Sequence, residues 1–122
     1  MFKDSAVAEL DGPEALKTLM SVDPAKDLPE FVMIYHPKCP ACHASINDFK
    51  QLGQYVKEHS SKIKISAVNA SRSHDEIRQM GVRAFPTFAL IKDSKEQPFV
   101  HNAGPRTLEG FNAFLFEHGI NL

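Results

Sequence analysis

The sequence contains only two cysteines, Cys39 and Cys42, so it is not a disulfide-stapled scaffold, and its 122 residues must fold around an ordinary apolar core. Charge of one sign is not in excess either: 14 Lys and Arg stand against 15 Asp and Glu, a formal net charge of −1. Without a basic stripe to neutralise phosphates, nucleic acid is not an expected partner. No apolar run approaches the roughly 18 residues of a membrane span, so no membrane association is expected. Met1-Phe2-Lys3-Asp4 lacks the basic and apolar regions of a secretory signal, and Gly119-Ile120-Asn121-Leu122 is not an ER-retention tail. The expectation from these ends is a cytoplasmic protein. A hydrophobic content of 43% with 24% charged residues is that of a folded globule and argues against intrinsic disorder. There is no repeat, low-complexity tract or long linker, so one domain spanning 1–122 is expected.

What is present reads as alternating strands and helices. Ala6–Leu10 fits a short edge strand, and Asp11 or Gly12 can cap a helix from Pro13 to about Met20. Ser21–Glu30, with two prolines and several charges, reads as a loop. Phe31-Val32-Met33-Ile34-Tyr35 has the unbroken apolar pattern of a central strand covered on both faces. From Cys42, apolar residues recur every three or four positions (Ile46, Phe49, Leu52, Val56), which predicts an amphipathic helix over Pro40–Glu58. Ile63–Val68 follows as a strand. Ser73 and Glu76 have the spacing of a capping box for a short helix ending before Gly81. Thr87–Lys92 and Phe99–His101 pair as a hairpin, and Thr107 caps a last helix to His118. Helices between the early strands imply parallel pairing, and the late hairpin adds antiparallel strands; the fold class is an α/β sandwich.

Cys39-Pro40-Ala41-Cys42 stands where the central strand hands over to the long helix. With Cys39 as N-cap, its sulfur can accept from the free amides of Ala41 and Cys42 and lies at the positive end of the helix dipole. Lys38, and His36 and His43 when protonated, add positive potential, and every one of these influences favours a thiolate. Cys42, three residues on, lies on the same side of the first turn, so the two sulfurs can close a disulfide. The chemistry implied is dithiol–disulfide exchange, in which Cys39 attacks and Cys42 resolves the mixed disulfide.

Here the sequence resembles the thioredoxin family, and within it the catalytic domains of protein disulfide isomerases. Tyr35-His36-Pro37-Lys38-Cys39-Pro40-Ala41-Cys42 is similar to the isomerase active-site pattern, Gly81-Val82-Arg83-Ala84-Phe85-Pro86-Thr87 to the family's cis-proline signature, and Gly104-Pro105-Arg106-Thr107 to the entry of its last helix. The three occur in matching order from about Phe31 to His118. The resemblance implies a thioredoxin-like three-layer sandwich with a mixed central sheet and helices on both faces. It also implies a cis Pro86, a substrate groove lined by Lys38, Pro40, Phe85 and Pro86, and a role for Arg106 in deprotonating Cys42. The plain alternative for Arg106 is an exposed ion-pairing residue at a helix start. No cofactor or metal is expected; the partners expected are protein thiols and disulfides with an unidentified reductant or oxidant.

The departures from the family pattern matter as well. Met33 stands where the family has a buried carboxylate, Lys38 where it has Trp, and Asn47 where it has a helix-kinking proline. With charge added and the carboxylate gone, the expected potential lies above the thioredoxin end of the range of about −270 to −120 mV. Three other readings compete. One is a redox-poor adaptor that binds a partner beside Pro86. Another is metal or cluster binding through His36, Cys39, Cys42 and His43 or through paired motifs of two chains. The last is c-type haem attachment at Cys39–His43 with Met80 as axial partner, which the preceding strand and the missing export signal oppose.

Overall fold

The computed structural model describes residues 1–122. In chain order the elements are β1 (Ala8–Leu10), α1 (Gly12–Leu19), β2 (Glu30–Tyr35), α2 (Pro40–His59), β3 (Lys64–Asn69), α3 (His74–Gln79), β4 (Thr87–Ile91), β5 (Phe99–Val100) and α4 (Leu108–Glu117). One sheet holds all five strands in the order β1-β3-β2-β4-β5. β3 pairs parallel with both β1 and β2, whereas β4 runs antiparallel to β2 and to β5. The sheet is therefore mixed, as the strand and helix order predicts.

Strand alternation divides the core into two layers. Phe31, Met33 and Tyr35 of β2 pack with Phe49 and Leu52 of α2 and Phe111 and Leu115 of α4. Val32 and Ile34 turn to the opposite layer, against Ala15 and Leu19 of α1 and Ile77 of α3. All five of these β2 residues are buried at 0% exposure, so each contributes its full transfer energy, about 1.5–3 kcal/mol for a large apolar side chain. β2 is thus clamped on both faces, and the segment that follows it starts from a rigid point. Its last residue, Tyr35, donates its hydroxyl to Glu9 Oε2 at 2.9 Å.

Three local expectations need correction. Glu30 belongs to β2 rather than to the preceding loop: it lies in register with Lys64 and Ile91 and is buried. Burial pushes its carboxyl above the usual range; Ser66 Oγ is close enough to moderate this but lacks the geometry of a full hydrogen bond. Second, no capping box forms at α3. Ser73 Oγ instead accepts the Gly12 amide at 2.8 Å, because Asp11 gives α1 no side-chain cap and the orphan donor needs a partner. Third, the hairpin partner β5 ends at Val100, and His101 just beyond it is buried, its ring 5.0 Å from that of Phe114 and 5.8 Å from that of Phe111. β1 is also shorter than its apolar pattern, beginning at Ala8.

Candidate functional site

Four residues carry the chain from the end of β2 to the start of α2. The Cys39 amide closes this turn on the His36 carbonyl at 3.0 Å. Cys39 is the N-cap with extended backbone, φ −93° and ψ 112°, and Pro40 occupies the first helical position, where the missing amide costs nothing. The Cys39 sulfur accepts the Cys42 amide at 3.2 Å. Of the two amides expected to serve it, only that of Cys42 does; Ala41 does not. The first turn of α2 contains no acidic residue to compete for the dipole's positive end.

The two thiols differ in environment. Cys39 is half-buried, while Cys42 is fully buried in the same apolar core as Met33. Desolvation pushes the Cys42 thiol up to about 12, with the hydrogen bond to Cys39 acting in the same direction. The His36 amide and, more weakly, the charge of Arg106 pull it down. Cys42 is therefore a protonated thiol at neutral pH, lying against its partner sulfur. Glu30, the buried carboxyl of β2, cannot assist it, because strand alternation turns Glu30 to the other layer.

The Phe85–Pro86 peptide is cis, and the Phe85 carbonyl oxygen lies 3.6 Å from Cys39 Sγ. Pro86 is buried and Phe85 half-buried, its ring 6.1 Å from that of His36. Lys38 and Pro40 are exposed on either side of Cys39. Arg106 is exposed in the loop before α4 and reaches Cys42 through its charge.

The histidines beside the cysteines are occupied by backbone. His36 Nδ1 accepts the Lys38 amide at 3.2 Å, and His43 Nε2 lies 2.6 Å from the Pro37 carbonyl oxygen. No group of three or more His, Cys, Asp or Glu side chains is placed to hold a metal ion within this chain. Haem attachment is opposed on a different ground: the Cys42 side chain is fully buried in the core, where a bulky thioether would have to displace its packed neighbours.

Residues that the sequence did not single out hold the Arg106 loop in place. His101 Nε2 lies 2.9 Å from the Pro105 carbonyl oxygen, and Asp48 Oδ2 of α2 accepts the Leu108 amide at 2.9 Å. Gly110 is needed because a Cβ there would stand 2.0 Å from the Pro105 oxygen. Only Gly110 left a visible sign, a glycine inside an otherwise helical pattern.

The Thioredoxin family model matches residues 18–117. Protein disulfide-isomerase tigA of Aspergillus niger is 29% identical over 89 residues, which cover 73% of this chain and 24% of that protein. The protein disulfide-isomerase of Oryctolagus cuniculus is 30% identical over 89 residues, 73% of this chain and 17% of that protein. The chain thus spans about a quarter or less of the length of these relatives. The J-Trx1 fragment of ERdj5 superimposes with a TM-score of 0.77 at 23% identity, covering 94% of this chain and 50% of that one, a likeness of fold.

Proposed function

The chain belongs to the thioredoxin family, and from that premise we propose that it exchanges disulfides with protein substrates through Cys39 and Cys42. The Cys39 thiolate attacks a substrate disulfide, forming a new S–S bond while one substrate sulfur leaves and takes a proton. Cys42 then gives up its proton and attacks Cys39, releasing the second substrate thiol. The pair is oxidised to a disulfide and the substrate reduced by the same two electrons; the reverse sequence oxidises the substrate. Arg106 assists the second step by favouring the Cys42 thiolate, and Lys38, Pro40, Phe85 and Pro86 border the reacting sulfur.

The observation that carries this reading is the helix-capping sulfur, 3.2 Å from the Cys42 amide, with a buried thiol held against it. Substituting Cys42 by Ser is expected to trap mixed disulfides through Cys39, seen as discrete adducts on non-reducing gels and in mass spectra. Titration of the pair against glutathione then gives the direction of electron flow, with a potential expected above −270 mV, about that of thioredoxin. Absence of adducts, together with partner binding that survives removal of both cysteines, would establish the adaptor reading instead, which the apolar surroundings of Cys42 favour.

A further inference from the structure

Beside the Phe85–Pro86 segment lies a cavity of about 370 Å³ that the exchange chemistry does not use. Ile77 and Phe85 give it an apolar wall; His36, His74, Arg78 and Arg83 give it a basic one, and no carboxylate lines it. Neither arginine is neutralised. The two ion pairs of the chain join the Met1 ammonium to Glu9 and Arg72 to Asp11. Asp75 and Glu76 stand on the same helix as Arg78 but pair with neither guanidinium. Arg78 makes only a 3.4 Å contact with His74 Nδ1. The cavity shares two residues with the redox site: His36, which opens the turn to Cys39, and Phe85, whose carbonyl is 3.6 Å from the Cys39 sulfur. These shared residues set the mouth of the cavity beside the Cys39 sulfur.

We propose that this cavity is a specificity subsite that receives an acidic side chain, Asp or Glu, next to the target cysteine of a protein substrate. Arg78 and Arg83 meet the carboxylate, and Ile77 and Phe85 pack against its methylene stem. The subsite rests on the exchange reading. Guanidinium groups match a carboxylate in geometry as well as charge. Both arginines are exposed, so the preference is a modest one, about threefold to tenfold, expressed mainly in the association rate and weakened by salt.

The test uses peptides whose single cysteine carries a thionitrobenzoate disulfide and which differ only in Glu, Gln or Lys beside it. The wild-type chain is expected to react about threefold to tenfold faster with the Glu peptide than with the Gln peptide at low ionic strength, the ratio falling as salt rises. In the double variant R78E/R83E the Glu-to-Lys rate ratio inverts, and in R78Q/R83Q it approaches one. The ratio cancels any change common to both peptides. Equal rates for the Glu and Gln peptides, or a Glu preference that survives charge reversal, overturns the subsite. If no peptide reacts, the exchange reading has failed, and fluorescence anisotropy decides the subsite alone. With cysteine-free peptides and the C39S/C42S chain, tighter binding of the Glu peptide that R78E/R83E abolishes upholds it, and indifference to charge sinks it.

Discussion

At the start of α2 the Cys39 sulfur accepts the Cys42 amide at 3.2 Å, and at the start of α4 the Thr107 hydroxyl accepts the Gly110 amide at 3.1 Å. The backbone device is the same: an extended N-cap residue satisfies the amide three positions on. Two differences separate a reactive cap from a structural one. The first turn of α4 carries Glu109, which answers the dipole, whereas that of α2 carries no acid. The third residue also differs: Gly110 offers no side chain and lets the Pro105 carbonyl pass, while Cys42 sets a second sulfur beneath the first. A helix N-terminus is thus a general anion site that becomes chemistry only through what is placed upon it.

Replacing Cys39 by Ser breaks the comparison most severely, by making the two caps alike. Exchange is expected to fall more than about a thousandfold in a peptide-disulfide assay, while the thermal midpoint changes little because an oxygen still caps the helix. A large loss of stability with that variant would show that the sulfur was a packing element.

The contrast between the two thiols can be sharpened by pH. With Cys42 pushed up to about 12, iodoacetamide at pH 8 is expected to label Cys39 alone in peptide mass maps. The folded value lies above the ordinary one near 9, so stability from the Cys42 thiol is whole below about pH 9 and is lost as pH rises through 12. Denaturation midpoints across that window should therefore fall more steeply for the wild type than for Cys42→Ala.

Gly110→Ala tests the structural cap. Its Cβ meets the Pro105 oxygen at 2.0 Å, and a cost of about 2–4 kcal/mol is expected in urea denaturation. Thr107→Ala is the mildest change, about 1 kcal/mol or some 4 °C in Tm by calorimetry, for loss of the Gly110 hydrogen bond.

Most elements were legible in the sequence because their signals are local. The apolar run Phe31–Tyr35 has the pattern of a strand covered on both faces, and proline one place after Cys39 marks the start of a helix. The site was legible in part for the same reason, since both thiols fall within one helical turn. What escaped depends on contacts distant in sequence. Asp48 reaches the Leu108 amide across 60 residues and Ser73 reaches the Gly12 amide across 61, so neither partner could be read from its own neighbourhood. Glu30 was hidden by its charge, and His101 by standing alone.

With Met33 in place of a carboxylate, the groups that act on the Cys42 thiol include no acid to take its proton. It must leave by the mouth of the site, past whatever is attached to Cys39. On the proposed exchange reading, a chain held on Cys39 lies across that exit, and bulkier clients are expected to be released more slowly than small ones. Such a hold resembles a latch that shuts readily and is slow to spring open.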